Sequence, residues 1–370
     1  MASPQTKIYS KRLAKLKSRV KSAGYPAMLI SDPINVTYLT GFTGDSTFLL
    51  VTSNSEKLLS DTRYTTQIAE ECEGIETYIR DSTQTAVQMI GGVVKKSKLS
   101  QLAYEADSMT KAVFDQLDAG LSGCELVSTT GWCAEHRAIK DKYELAAIRK
   151  SIAVNQRAFE VLRAQLRADQ TERQVAHNLE HQIRAFGGTR CAFDPIIGVG
   201  ARAALPHGTP SDMRMDAAPF VLVDWGSQVD GYASDITRVL VTGKITARFR
   251  KVYETVLKAQ KAAIAKIKPG VSMQLVDRTA RKIIEDAGFG KYFGHGLGHG
   301  FGLQIHETPY ISPIRQGIFE AGMVVTIEPG IYISGAIGVR IEDDILVTKT
   351  GKEVLSTLPK ELEECVVSLL

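Results

Sequence analysis

Residues 224–235 read DWGSQVDGYASD, running from Asp224 to Asp235. The flanks, residues 218–225 and 232–241, are rich in Val, Leu, Phe and Tyr. They predict two strands joined by a turn that contains Asp230-Gly231. A turn centred between Val229 and Asp230 sets Asp224 directly opposite Asp235, about 5 Å apart on one face. A two-residue Asp230-Gly231 loop pairs Asp224 with Thr237 instead and leaves Asp235 diagonal, about 7–8 Å away. Both registers aim the two carboxylates the same way. Like charges that close repel unless a cation sits between them.

A second pair of acids repeats the pattern. Residues 323–328 (MVVTIE) and 338–347 (GVRIEDDILV) read as strands around a turn rich in Gly and Ser. Glu328 and Glu342 are equidistant from Gly335, so a hairpin centred there makes them face each other. Acids at the ends of apolar strands need a metal or a base as partner if they are buried. His299, closing the run GHGLGH, offers a nitrogen ligand. Four carboxylates and an imidazole exceed a single tetrahedral zinc site and suit two neighbouring divalent ions.

Two other motifs point elsewhere and are set aside. The glycines of residues 294–300 lack the strand–glycine–helix unit of a nucleotide loop. They are read as letting backbone approach a crowded site. HNLEH at residues 177–181 matches the inverted zinc-peptidase motif. On a helix whose apolar stripe is Val175, Leu179 and Ile183, however, His177 and His181 point to solvent.

At 370 residues the chain has room for two domains and a large core. No apolar run approaches the roughly 18 residues that a membrane span requires. The five cysteines are widely spaced, with no C-x-x-C, which argues for a reducing, cytoplasmic setting and against a disulfide framework or thiolate zinc. The net charge of +4 is local in origin: residues 1–24 hold seven bases and no acid, leaving 38 bases against 41 acids elsewhere. This segment is read as a helix that buries Leu13, Leu16 and Val20, keeps its bases solvated and ends at Gly24. An organelle presequence is the weaker alternative. Nucleic-acid binding is not expected, because the bases are not interleaved with aromatics.

Residues 1–135 read as a small α/β domain with apolar runs at 27–31, 47–51, 76–79 and 101–104. Residues 136–370 read as a second domain. Its expected helices cover residues 140–166, Thr171 to about 185, 246–267 and 275–287, with Thr171 as an N-cap.

The chain resembles the pita-bread metallopeptidases: aminopeptidase P, prolidase, methionine aminopeptidase and the metal-free creatinase. The resemblance rests on Asp224, Asp235, His299, Glu328 and Glu342 in their strings. Weaker echoes of the creatinase/prolidase N-terminal domain lie at Gly41-Phe42-Thr43-Gly44 and Asp61-Thr62-Arg63-Tyr64. It implies an α/β (α+β) fold, a pita-bread catalytic domain preceded by the smaller N-terminal domain. It also implies that Asp235 and Glu342 bridge two divalent metals, that Asp224 chelates one, and that His299 and Glu328 complete the other. His207, His295 and His306 would line the substrate side, Glu328 would accept the proton, and His306 and His207 would stabilise the oxyanion. Arg340 would hold the carboxylates from behind.

Manganese is the expected metal, with cobalt or zinc as alternatives. The expected activity is that of an Xaa-Pro aminopeptidase acting on peptides with proline second, in a homodimer; the alternative is an Xaa-Pro dipeptidase. Many compact prolidases carry Arg four residues after the histidine matched by His306. Tyr310 stands there in this chain, favouring the aminopeptidase, although Arg315 lies close by. Methionine aminopeptidase is disfavoured by the extra N-terminal domain. A catalytically silent binding protein and a metal-free hydrolase are disfavoured by the full ligand set.

Overall fold

In a computed structural model the backbone is described from Pro4 onward and side-chain environments from Lys7 onward. The chain divides into one compact unit ending at His136 and another from Arg137 to Leu370.

The first unit is built on a mixed six-stranded sheet. Its strand order is Glu76–Arg80, Glu56–Asp61, Phe48–Thr52, Ala27–Ile30, Gln101–Glu105 and Glu125–Thr129. Ala27–Ile30 is wholly buried at its centre. Two of these strands have no counterpart in the sequence reading. Glu56–Asp61 (EKLLSD) and Glu125–Thr129 (ELVST) carry too many polar residues to announce themselves, and pairing in the sheet defines them. The first helix, Pro4–Ser22, buries Leu13, Leu16 and Val20 as expected. Its bases are not all solvated, which corrects the sequence reading. Arg12 is buried, donating to the Tyr38 carbonyl oxygen at 2.8 Å and lying 4.3 Å from the centroid of the Tyr38 ring. A guanidinium tolerates this because its flat face packs on an aromatic ring while its edge finds a carbonyl.

The second unit sets antiparallel sheets between two pairs of helices. Along Phe220–Trp225, alternation sorts the side chains: Phe220 and Leu222 join the core under helices Ala247–Lys266 and Met273–Asp286. Val221, Val223 and Trp225 join the core under Lys142–Ala164 and Glu172–Ala185, where Trp225 stacks on Phe159 with centroids 4.3 Å apart. Thr171 caps its helix reciprocally, its hydroxyl accepting from Gln174 N (3.2 Å) while Gln174 Oε1 accepts from Thr171 N (2.9 Å).

The hairpin after Trp225 resolves the choice of register. Val229 pairs with Tyr232, Asp230 and Gly231 both have positive φ (50° and 83°), and Asp224 pairs with Thr237. Asp230-Gly231 is thus the two-residue loop, and Asp235 lies diagonal to Asp224. The second hairpin keeps one register from end to end. Val324–Ile327 pairs with Asp343–Val347, and Gly330–Ile333 with Ile337–Arg340, all centred on Gly335. The ladder breaks at Glu328 and Glu342, so the hairpin spans two sheets and the acids sit at the seam. No helix among the described residues is long and apolar enough to cross a membrane.

Candidate metal centre

Both hairpins carry a row of side chains that turns from apolar to polar at one end. In the first, Phe220 and Leu222 give way to Asp224, facing Val241, Val239 and Thr237. In the second, Val324, Thr326 and then Glu328 face the row of Leu346, Asp344 and Glu342. The polar ends meet at the floor of a cavity of about 880 Å³, lined by Asp224, Asp235, His299, Glu328 and Glu342, with His207, His295, His306, Tyr310, Tyr332 and Arg340. Ligand atoms of Asp235, His299 and Glu342 all lie within 4.8 Å of one another.

His299 comes from the strand Gly298–Gly300, which runs against the 324–327 strand. A Cβ on Gly298 would lie 2.1 Å from the Thr326 carbonyl oxygen, so only glycine permits that approach. His299 Nδ1 donates to the Gly300 carbonyl oxygen at 3.1 Å, leaving the Nε2 lone pair bare. Nε2 lies 3.3 Å from Glu328 Oε1 and 3.6 Å from Asp235 Oδ2. Burial, then the neighbouring His306, pushes the His299 pKa down to about 3, so the ring is neutral and able to ligate.

The carboxylates are short of positive charge. Burial, then Glu342 and Asp224, drives the Asp235 carboxyl well above the ordinary range. Glu342 is driven up by burial, then by Glu328 and Asp224. Glu328 rises to about 8, chiefly through burial, although Arg340 works against the rise. Asp224 Oδ1 and Glu342 Oε1 are buried without a hydrogen-bond partner. Orphaned anionic oxygens around a bare imidazole nitrogen are the donor set that divalent cations complete, so these residues fit a two-metal centre.

Arg340 braces the cluster. It is ion-paired with Asp224 and donates to Thr237 Oγ1 (3.1 Å), Tyr332 Oη (2.7 Å) and the Pro206 carbonyl oxygen (3.3 Å). Thr237 in turn donates to Glu342 Oε2 at 2.6 Å. With Tyr332 accepting from Arg340, its hydroxyl proton is directed at His295 Nε2 (3.0 Å), while His295 Nδ1 donates to the Gly296 carbonyl oxygen (2.7 Å). Burial, then Arg340, holds His295 neutral, with a pKa near 4. The His306 ring lies 4.4 Å from that of His299 and is lowered by burial and by His207.

Tyr332 and Thr326 were not singled out in the sequence. Tyr332 pairs with Gly338 and so shares a face with Arg340 two residues on, a signal the hairpin register contains. Thr326 precedes Glu328 by two residues on the same face and donates to it at 3.3 Å. His177 and His181 lie exposed on their helix, outside this cavity.

Comparison with known proteins places this architecture. Residues 146–349 match the model of metallopeptidase family M24, and residues 12–139 match the creatinase/prolidase N-terminal domain. The chain is 35% identical to the uncharacterised peptidase YqhT of Bacillus subtilis, covering 95% of this chain and 99% of that one. An Xaa-Pro dipeptidase from Bacillus anthracis superposes with a TM-score of 0.91 at 34% identity, covering 96% of this chain and 99% of that one. An X-Pro aminopeptidase from Thermotoga maritima gives 0.86 at 32% identity, covering 95% and 100%. The chain belongs to metallopeptidase family M24, has its pita-bread fold and is a peptidase.

Proposed function

We propose that this M24 peptidase cleaves the bond between an N-terminal residue and a following proline, using two divalent metal ions. The observation that carries the reading is the gathering of Asp224, Asp235, Glu328 and Glu342 with His299 in one cavity, where Nε2 of His299 lies 3.3 Å from Glu328 and 3.6 Å from Asp235. Asp235 and Glu342 would be shared between the ions, Asp224 would hold one, and His299 and Glu328 the other. The oxygen-rich donors favour manganese, with cobalt or zinc able to substitute. When bound, such a pair polarises the scissile carbonyl and acidifies water.

The protein groups do the rest. Thr326 occupies Glu328 Oε1, which leaves Oε2 to take the proton from the attacking water and pass it to the departing proline nitrogen. His306 and His207, on the cavity wall, would donate to the developing oxyanion. The chain from Arg340 through Tyr332 to His295 would hold the substrate side rigid. An X–Pro bond has no N–H and a fixed ring, so recognition falls to shape. Phe193, Pro195, Ile196 and Tyr292 supply apolar walls for that ring.

Peptide length has two readings. Tyr310 lines the cavity and is 44% exposed, where a cation would grip a dipeptide's carboxylate, and this supports an aminopeptidase. Likeness to the B. anthracis dipeptidase supports the other reading, as does Arg315, whose guanidinium carbon lies 6.0 Å from the Tyr310 ring centroid. The deciding experiment compares kcat/KM on Xaa-Pro and Xaa-Pro-Xaa peptides with manganese added. The aminopeptidase reading expects the longer peptides to win, and Tyr310→Arg to shift preference toward dipeptides by about tenfold, the equivalent of one hydrogen bond to a charged group. Dipeptide preference in the unchanged protein would establish the second reading. Absence of cleavage before proline would remove both.

A further inference from the structure

His207 occupies the tip of a loop, and no hydrogen bond to another described residue holds its imidazole. The ring is therefore placed by its backbone. That backbone is a tight turn, closed by Gly208 N donating to the Leu205 carbonyl oxygen at 3.1 Å, with Arg340 reaching the Pro206 carbonyl oxygen. Both shoulders of the loop converge on one carboxylate that the sequence reading passed over.

Glu172 opens the helix Glu172–Ala185 and is fully buried. Its Oε1 accepts from Val199 N (2.8 Å) and Arg202 Nε (3.1 Å), on the incoming shoulder. Its Oε2 accepts from Arg202 Nε (2.8 Å), Ser211 N (2.8 Å) and Ser211 Oγ (2.7 Å), on the outgoing one. Arg202 then donates from Nη2 to the Thr209 carbonyl oxygen at 2.6 Å, closing the loop on itself. Every one of these partners is a donor. A neutral amide in place of the carboxylate would turn an NH₂ toward groups that also donate, leaving at least one of them unpaired. The carboxylate ties together segments 27 to 39 residues distant in sequence.

We infer that Glu172 is a positioning residue for His207: its carboxylate clips residues 199–211 so that the imidazole stands over the substrate side of the metal centre. The inference rests on the proposed role of His207. It separates that role from a merely structural one, because a clip acting through His207 has nothing left to lose once His207 is gone.

The test is a double-mutant cycle on metal-loaded protein, using Xaa-Pro-Xaa and Xaa-Pro substrates. His207→Ala is expected to lower kcat/KM about 100-fold, the scale of one oxyanion donor. Glu172→Gln is expected to lower it about 10- to 50-fold, mainly in kcat, with metal content unchanged, the cost of a displaced donor. The combination should fall within about threefold of His207→Ala alone, as for residues that act as a unit. Arg202→Gln, at a partly exposed position, provides the same comparison if Glu172→Gln folds poorly. Losses that multiply in the double mutants, or full activity of folded, metal-loaded Glu172→Gln, would overturn the inference. Full activity of His207→Ala would overturn it too. That result would strike the role of His207 itself, whereas absence of cleavage by the unchanged protein would strike the assigned activity.

Discussion

Glu342 and Asp343 are neighbours in sequence and both are buried, yet their carboxyls are displaced in opposite directions. Glu342 faces Glu328 and Asp224 and is driven well above the ordinary range by burial and those charges. Asp343 points the other way along its strand. Burial would push it up as well, but Arg238 and Lys360 outweigh burial and hold it below the ordinary range. Arg238 donates to Asp343 Oδ1 at 2.7 Å, and Gln260 to Oδ2 at 2.7 Å. Glu307 repeats the second case, with Lys140 at 3.0 Å and Arg137 at 2.7 Å. Asp343 and Glu307 carry their counter-charges with them. Of the four acids on the cavity floor, Asp224 is paired with Arg340, while Asp235, Glu328 and Glu342 are left with a deficit of positive charge that fits divalent cations.

The comparison predicts where metal removal acts. Chelation should abolish peptidase activity, and added manganese or cobalt should restore it, because the ligand set contains no thiolate and must be filled to be neutral. Persistent activity in protein shown by elemental analysis to be metal-free would end the two-metal reading. Next in size, Asp235→Ala and Glu342→Ala should each lose metal occupancy and lower kcat/KM by roughly 10³-fold or more, against about 100-fold for His207→Ala with normal metal content. Equal metal loss in all three would erase the distinction between ligand and substrate contact.

Stability sharpens the contrast. Arg238→Met strands Asp343 without its main partner and should cost about 3–5 kcal/mol, read from the urea midpoint. In metal-free protein, Asp235→Asn should instead raise stability, as one like charge leaves the cluster. Acid should probe the paired groups. The folded-state pKa of Glu307 is depressed, so its contribution is present above the ordinary carboxylate range and is lost as pH falls through the lowered value. Glu307→Gln should therefore flatten the acid limb of the stability curve. The smallest effect belongs to His177 and His181. Both are exposed, and changing both to Ala should leave activity and metal content within error.

Much of the site was legible because strand alternation and hairpin symmetry are local properties. Asp224 and Asp235 share a face in either register, and Glu328 and Glu342 are equidistant from Gly335, so both pairs follow from counting residues. Capping is equally local, and Thr171 announces its helix through Gln174 three residues on. Polar strands and buried charges are a different matter. Glu56–Asp61 and Glu125–Thr129 are strands because a neighbour pairs with them, and Arg12 is buried because Tyr38 lies beside it.

By itself, then, the sequence determined which side chains travel together on one face and where elements begin and turn, since periods of two and 3.6 residues need no long-range information. Tertiary packing was needed for two hairpins that end at Val241 and Val347 to pool their acids beside His299. It alone decided that Asp343 would find Arg238 while Glu342 found no cation of its own, and that Glu172 would clasp the loop of His207. Such pairings depend on which faces pack together. Burial then raises the stakes of each, because a charge removed from water must be answered by a partner that only the folded chain can bring.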